Sequence, residues 1–323
     1  MKTFVDKLQE AMRMKKSVLC VGLDPQLRFM PPYLIAEMRA VYGDTEEAVG
    51  ELYYAFNRAI IDAVEPFVAV VKPQAAFYNR SCHTWKALEK TLAYAKYRGL
   101  LTIKDAKCKD GSETADAYAQ AHIGEVPFFD DRMVVAPIRS DAVTIDGYIA
   151  EDSVMRYVRE IKKFGTCVFV VDKTSFKPNS VIEQLVTDNG LTVWERLAHY
   201  VSLWSEGTEG ENGYRNCGVV MGGTYPDDAV KMRKILPDSL MLVPGYSISG
   251  GEGQGGKADE AVVPFNDDGF GAVVSTSRGT IAAWQKGPFS GDPKDFATSS
   301  AQAAMLARDE LNAALQRAGK LGW

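Results

Sequence analysis

The sequence predicts an α/β fold, a (β/α)8 barrel of the TIM type built as one domain over residues 1–323. Three observations carry that prediction. Eight short runs rich in β-branched and apolar residues recur along the chain. Helix-length segments with apolar residues at helical spacing separate most of them. The runs are near-continuously apolar, as strands covered on both faces of a parallel sheet are. Eight strands alternating with helices is the count of a closed barrel. A doubly wound open sheet uses the same alternation, and the count of eight favours closure.

In chain order, MKTFVDKLQEAMRMKK has helical spacing and leads to the first run, SVLCVGL (17–23). The helical pattern EAVGELYYAFNRAIIDAVEP leads to FVAVVKP (67–73), and TWKALEKTLAYAKYRG to LLTIKDAK (100–107). The fourth run is AVTIDG (142–147); VMRYVREIKKFG follows, then CVFVVDKT (167–174). Gly99 and Gly165 end their helices, the position where a helix terminus favours glycine. CGVVMGG (217–223), LMLVPGY (240–246) and AVVSTSR (272–278) complete the set. QKGPFSGDPKDF (285–296) separates the last run from a closing helix, ATSSAQAAMLARDELNAALQRAG. EGTEGENGYRN (206–216) and SISGGEGQGGKADE (247–260) have the composition of mobile loops.

Composition excludes several functions. With 46% hydrophobic and 24% charged residues the chain is an ordinary globular protein. Its formal charge of -5 supplies no basic field for nucleic acid. No apolar run approaches the ~18 residues of a membrane span, and the N-terminus lacks the apolar stretch of a signal peptide. The expectation is a cytoplasmic protein that binds neither nucleic acid nor membrane. The three histidines (His83, His122, His199) are widely separated, so no multi-histidine metal centre is expected. The five cysteines contain no Cys-x-x-Cys pair and are odd in number, which argues against a zinc knuckle or a disulfide framework. Chemistry is left to Asp, Glu, Lys, Arg, Ser and Thr.

A barrel assembles its active site where the strands end. Asp24 follows the first run, Lys72 ends the second, and Asp105 and Lys107 lie on the third. Thr144 and Asp146 end the fourth, Thr174 and Ser175 the fifth, Ser277 and Arg278 the eighth. Each alone is accounted for as a solvated loop residue; their convergence on one end of one barrel is the signal. The densest segment is KDAKCKDGSET (104–114). Asp105 and Lys107, two apart on a strand, point to the same face. Asp110 falls in the following loop, within reach of the same site or of a neighbouring subunit. The plainer reading of this segment is a helix start capped by Ser112 and Glu113.

Phosphate in barrels commonly sits after the seventh and eighth strands, on backbone N–H groups and a helix N-terminus. Here the seventh run enters Gly245, Gly250, Gly251, Gly253, Gly255 and Gly256, and the eighth enters Ser277-Arg278-Gly279. Arg offers phosphate a fixed fork of donors.

These segments resemble the orotidine 5'-phosphate decarboxylase family, in particular its longer bacterial branch. The likeness runs through VGLDPQ, VKPQAAFYNR, DAKCKDGSET, DAVTIDGY, the TS of DKTSFKPNS, GVVMGGT, LVPGYSISGG and VVSTSRGTI, in the family's order. It implies that Lys72, Asp105, Lys107 and Asp110 form an alternating-charge catalytic network. Asp24 would contact the ribose hydroxyls, Ser175 the pyrimidine and Arg278 the phosphate. Thr114, Thr144, Gly250, Gly251, Gln254 and Ser277 would complete the substrate-binding set. The implied reaction is cofactor-free and metal-free conversion of orotidine 5'-phosphate to UMP in pyrimidine biosynthesis, with Lys107 stabilising and protonating C6. The implied assembly is a homodimer in which Asp110 enters the partner's site.

Three positions depart from the family pattern. Gly111 stands where a bulky aliphatic residue is usual, Ser249 where a phosphate-contacting Gln is usual, and Asp146 where His or Asn is usual. Gln254, five residues past Ser249, is the candidate replacement for that Gln. A sister group, the Mg2+-dependent 3-keto-L-gulonate 6-phosphate decarboxylases and hexulose phosphate synthases, shares Asp-x-Lys-x-x-Asp and resembles this chain at Gly111. It carries an acid at the second strand end, where Lys72 would repel a cation. A nucleotide-binding paralogue without catalysis is the third reading, and retention of all four charged positions argues against it.

Overall fold

The computed structural model describes residues 1–148, 151–249 and 254–323. Its strands are β1 (Leu19–Leu23), β2 (Val70–Pro73), β3 (Leu101–Cys108), β4 (Glu125–Pro127), β5 (Met133–Val135), β6 (Ala142–Asp146), β7 (Cys167–Lys173), β8 (Arg215–Met221), β9 (Ser239–Val243) and β10 (Ala272–Thr276). All but β4 and β5 form a closed parallel barrel in the order β1-β2-β3-β6-β7-β8-β9-β10, with β10 returning to β1. The eight predicted runs are these eight barrel strands. Their starts shift by up to three residues; the second begins at Val70 because Glu65–Phe67 is a 3-10 turn.

The helices are α1 (Phe4–Lys15), α2 (Pro32–Tyr42), α3 (Glu46–Val64), α4 (Ala75–Tyr78), α5 (Cys82–Tyr97), α6 (Ser112–Ile123), α7 (Glu151–Phe164), α8 (Val193–Trp204), α9 (Pro226–Ile235), α10 (Ala258–Ala261), α11 (Arg278–Ile281) and α12 (Phe296–Arg317). Local chemistry sets their limits. Thr45 caps α3 by accepting the Ala48 N–H, and Glu46 and Glu47 sit in its first turn, where the helix dipole favours acids. Gly99 and Gly165 both have positive φ just beyond their helices. The α3 stripe Leu52, Phe56, Ile60 is buried, and Phe56 stacks on Phe296 of α12 at 5.1 Å. None of the described helices is long and apolar enough to cross a membrane.

Helix α1 covers the N-terminal ends of β7 and β8. Phe4 N donates to the Gly165 carbonyl at 2.7 Å, Val5 N donates to Asn216 Oδ1 at 3.0 Å, and the Phe4 ring meets Phe169 edge-on. The opposite, C-terminal end of the barrel is left for a site.

Two loop expectations need revision. Residues 206–216 are held down on α1: Asn212 N donates to Asp6 Oδ1 at 3.0 Å, and Asn212 Nδ2 donates to the Val5 carbonyl and to Gln9 Oε1. Of 247–260, residues 250–253 lie outside the described residues, and the flanks are joined by Gly255 N donating to Ser247 Oγ at 2.8 Å. The β4–β5 hairpin was not predicted; its three-residue strands are too short to display a period.

Candidate active site

The site begins with an irregularity in β3. Ile103 pairs with Ala142 and Lys104 with Val143, but the next pair is Cys108 with Ile145. Four steps along β3 oppose two along β6, so the strand bulges between them. Lys107 lies in this bulge with φ +48°, a left-handed conformation that costs a non-glycine residue about 1–2 kcal/mol. The pleat of a regular strand predicts Asp105 and Lys107 on one face. They do meet as an ion pair, but through the bulge. The bulge is held by Thr144, which accepts the Lys107 N–H at 3.0 Å and donates its hydroxyl to Asp105 Oδ1 at 2.8 Å.

From β2, Lys72 Nζ donates to Asp105 Oδ2 at 2.8 Å. One carboxylate thus lies between two ammonium groups in different surroundings. The Lys72 side chain is 7% exposed and that of Lys107 49%, so Lys72 is enclosed while Lys107 is open to an incoming molecule. Burial alone raises the carboxyl of Asp105, but Lys72 and Lys107 together hold it well below the usual range. Burial alone lowers the ammonium of Lys72, but Asp105 and Asp24 more than compensate and raise it. Lys72 and Asp105 are therefore both charged at neutral pH.

Asp24 follows β1 and faces the same space. Burial raises its carboxyl, against the pull of Lys72 and a hydrogen bond from Ser277. Its Oδ1 is buried without a partner, an acceptor left for another molecule. Gly22 makes this approach possible: a Cβ there would lie 1.9 Å from Ser277 Oγ. Asp24, Lys72, Tyr246, Gln254, Ser277 and Arg278 are among the residues around a cavity of about 190 Å³. Arg278 is exposed at the first position of α11, and the Gln254 carboxamide oxygen contacts Ser175 Oγ.

Lys72, Asp105, Lys107 and Thr144 are thus brought into one network, and Asp24, Gln254, Ser277 and Arg278 into the adjoining cavity, with Ser175 against Gln254. Asp110 and Thr114 are not brought to either. Asp110 is exposed, with its carboxylate on the N–H of Gly111 at 2.8 Å, and Thr114 is exposed on the first turn of α6. Helix α6 does start at Ser112, but its N-cap is Gly111 and no side chain caps it, so Ser112 and Glu113 do not have the capping role that the plainer reading of this segment gives them. Gly250 and Gly251 lie outside the described residues. Asp146, at the end of β6, lies 3.5 Å from Lys109. Among the described residues no group of three or more His, Cys, Asp or Glu is placed to hold a metal ion. Tyr246 was missed; its hydroxyl donates to Glu310 and its only sequence signal is its place at the end of LMLVPGY.

Residues 17–269 match the Orotidine 5'-phosphate decarboxylase / HUMPS family. The orotidine 5'-phosphate decarboxylase of Caldicellulosiruptor saccharolyticus is 33% identical over 316 residues, covering 98% of this chain and 100% of the relative. That of Rhodopirellula baltica is 35% identical over 294 residues, 90% of this chain and 92% of the relative. Among solved structures, Leishmania donovani OMP decarboxylase aligns with a TM-score of 0.66 at 25% identity, over 95% of this chain and 99% of that one. A Streptomyces avermitilis chain aligns with a TM-score of 0.73 at 26% identity, over 98% and 97%. The barrel and the full-length similarity agree: the chain belongs to the orotidine 5'-phosphate decarboxylase / HUMPS family.

Proposed function

We propose that this chain decarboxylates orotidine 5'-phosphate to UMP in pyrimidine biosynthesis, with Lys107 as the group that stabilises and protonates C6. The observation that carries the reading is the Asp105 carboxylate shared between enclosed Lys72 and open Lys107. Loss of CO2 breaks the C6–carboxylate bond and leaves its electron pair on C6, where the pyrimidine ring delocalises it poorly. The Lys107 ammonium stabilises that pair and then gives C6 a proton; the neutral amine left behind regains one from solvent. No cofactor enters these steps.

Asp105 faces the departing carboxylate in this reading, and Lys72 holds Asp105 and the ribose. Two unit charges about 4 Å apart at an effective dielectric of 20 interact by roughly 4 kcal/mol. That is about a thousandfold in rate, small beside the largest enzymatic accelerations. Preorganised charge around Lys107 therefore supplies more than repulsion does. The strained Lys107 backbone fits that need, because its orientation is fixed before substrate arrives.

The remaining roles follow from the cavity. Asp24, with its unpartnered oxygen, accepts from the ribose hydroxyls alongside Ser277. Ser175 meets the pyrimidine, and Thr144 holds the network in register. Arg278 and Gln254 take the phosphate, with backbone N–H groups at Gly250 and Gly251. Asp110 and Thr114, exposed on their own chain, supply the site of a second subunit in a cytoplasmic homodimer.

The test is the absorbance of orotidine 5'-phosphate incubated with the protein, with and without EDTA. EDTA-insensitive loss of substrate with formation of UMP is expected. Turnover only of a phosphosugar, and only with Mg2+, would overturn the reading in favour of the sister enzymes; Lys72 at the end of β2 opposes that alternative by repelling a cation.

A further inference from the structure

The segment between β7 and α8 returns a carboxylate to the end of β7, directly behind Ser175. Glu183 Oε2 accepts from Lys173 Nζ at 3.0 Å, and Glu183 Oε1 accepts from the backbone N–H of Thr174 at 3.2 Å. Lys173 has no side-chain surface in water and Glu183 only 7%, so this pair is more enclosed than Lys72 and Asp105. Lys173 also donates to Asn179 Oδ1 at 2.6 Å and lies 4.0 Å from the Tyr225 ring centroid. Its ammonium is thus saturated by groups that belong to one loop and one helix start.

What this pair grips is the two-residue step from the strand to the site. Glu183 fixes Thr174 from one side through its N–H. On the other side, Thr224 Oγ1 donates to the Ser175 carbonyl at 3.0 Å. A Cβ on Gly222 would lie 2.5 Å from the Thr174 carbonyl oxygen, so that backbone is packed against glycine with no room to shift. Ser175 Oγ, the far end of this clamp, is the atom that meets Gln254 at the cavity. None of Lys173, Thr174, Ser175 or Glu183 lines that cavity itself; Ser175 reaches it through Gln254.

We propose that Glu183 is a positioning residue for nucleotide recognition: through Lys173 and the Thr174 N–H it fixes the place of the Ser175 hydroxyl. The proposal rests on the reading that Ser175 belongs to the nucleotide site. A buried pair of this kind is dispensable for stability when both partners are replaced by apolar groups; its use here is to hold one hydroxyl where a rigid strand end alone would leave it to solvent. A residue acting through Ser175 must lose its effect on binding when the Ser175 hydroxyl is gone.

The experiment is a double-mutant cycle read by UMP affinity in calorimetry and by thermal unfolding. Glu183→Ala should weaken UMP binding about tenfold in the native background, the scale of a lost charge-assisted contact. In the Ser175→Ala background it should change binding by less than about twofold. The drop in melting temperature should be the same in both backgrounds, because the cost of an unpaired Lys173 does not depend on Ser175. Should the alanine variant not fold, Lys173→Met/Glu183→Leu, which leaves neither charge unpaired and removes the acceptor for Thr174, is carried through the same cycle and read the same way. Equal loss of UMP affinity in both backgrounds, or native affinity in Glu183→Ala, would overturn the role of Glu183. Native UMP affinity in Ser175→Ala alone would instead overturn the placement of Ser175 in the nucleotide site, and the proposal with it.

Discussion

Lys72 donates to Oδ2 of Asp105 at 2.8 Å, and neither side chain has more than a tenth of its surface in water. Taking both charges out of water is expensive, and their attraction repays it only when neither is left alone. Lys72→Ala should therefore cost about 3–5 kcal/mol of folding stability, by stranding much of the charge of Asp105. The double variant Lys72→Met/Asp105→Leu should return to within about 2 kcal/mol of the native chain, because apolar groups of similar volume replace the pair. Both should be inactive. Denaturant unfolding of the two chains checks this. A double variant no more stable than the single would mean that the pair is kept for folding rather than chemistry.

Lys107 occupies the opposite situation, with about half of its side chain in water. Lys107→Ala should leave the barrel folded and remove decarboxylation by at least about a thousandfold, since charge stabilisation and the proton donor vanish together. Circular dichroism and the orotidine 5'-phosphate absorbance assay read the two parts separately. Near-native turnover would sink the assigned mechanism.

A third lysine on β3 gives a pH signature. Lys104 is wholly buried and donates to the Ile138 carbonyl; burial pushes its ammonium down from 10.5 to about 7, with Cys108 a smaller opposing influence. Between those two values the unfolded chain carries a proton on Lys104 that the folded chain does not. Stability should therefore rise with pH across that window, by up to about 1.4 kcal/mol per pH unit from this group. Lys104→Met should flatten that slope and lose nothing to protonation below it. Unfolding midpoints measured from pH 7 to 10 decide the matter; an unchanged slope in the variant would mean that Lys104 does not lose its proton on folding.

The eight strands were legible because Val, Ile and Leu covered on two faces leave a pattern within each segment. The bulge in β3 was not. LTIKDAKC reads as one uninterrupted strand, and the two extra residues exist only relative to β6, whose pairing no local pattern encodes. The same limit hid the anchoring of 206–216. Its glycines suggest mobility, while the acceptor that holds Asn212 is Asp6, 206 residues earlier. Glu183 was one of two acids in the stretch between β7 and α8 until the fold set it against Lys173 and Thr174. Strand-end polar residues such as Asp24, Lys72 and Arg278 were readable because barrel topology itself says where strand ends go.

Asp110 and Lys107 test the assembly. Asp110 is exposed and does not touch the charge network of its own chain. If it completes the partner's site, inactive Asp110→Ala and Lys107→Ala chains should complement each other. Random reassortment of an equal mixture makes half the dimers hybrid, each with one intact site, so activity should recover to about a quarter of native in a C2 dimer. Absence of recovery after demonstrated subunit exchange would exclude the shared site.

Gln254 and Ser249 test how the phosphate is held. A phosphate carries close to two negative charges at neutral pH and has more lone pairs than Arg278 alone can meet. The Ser249 hydroxyl is too short to replace a Gln side chain, and the Ser249 N–H is directed to Glu310 at 3.4 Å. Gln254 borders the cavity together with Arg278. Its carboxamide oxygen is engaged by Ser175, and that bond leaves the NH2 as the free end of the amide, a donor suited to a phosphate oxygen. Gln254→Ala should weaken UMP about tenfold, the scale of a hydrogen bond to a charged group. Uridine binding should fall clearly less than UMP binding, because uridine loses only what the Ser175–Gln254 contact contributes and has no phosphate contact to lose. Calorimetric titration with both ligands reads the difference. An equal loss for UMP and uridine would move Gln254 to the base or ribose, and no loss for either would leave the phosphate to Arg278 and backbone N–H groups.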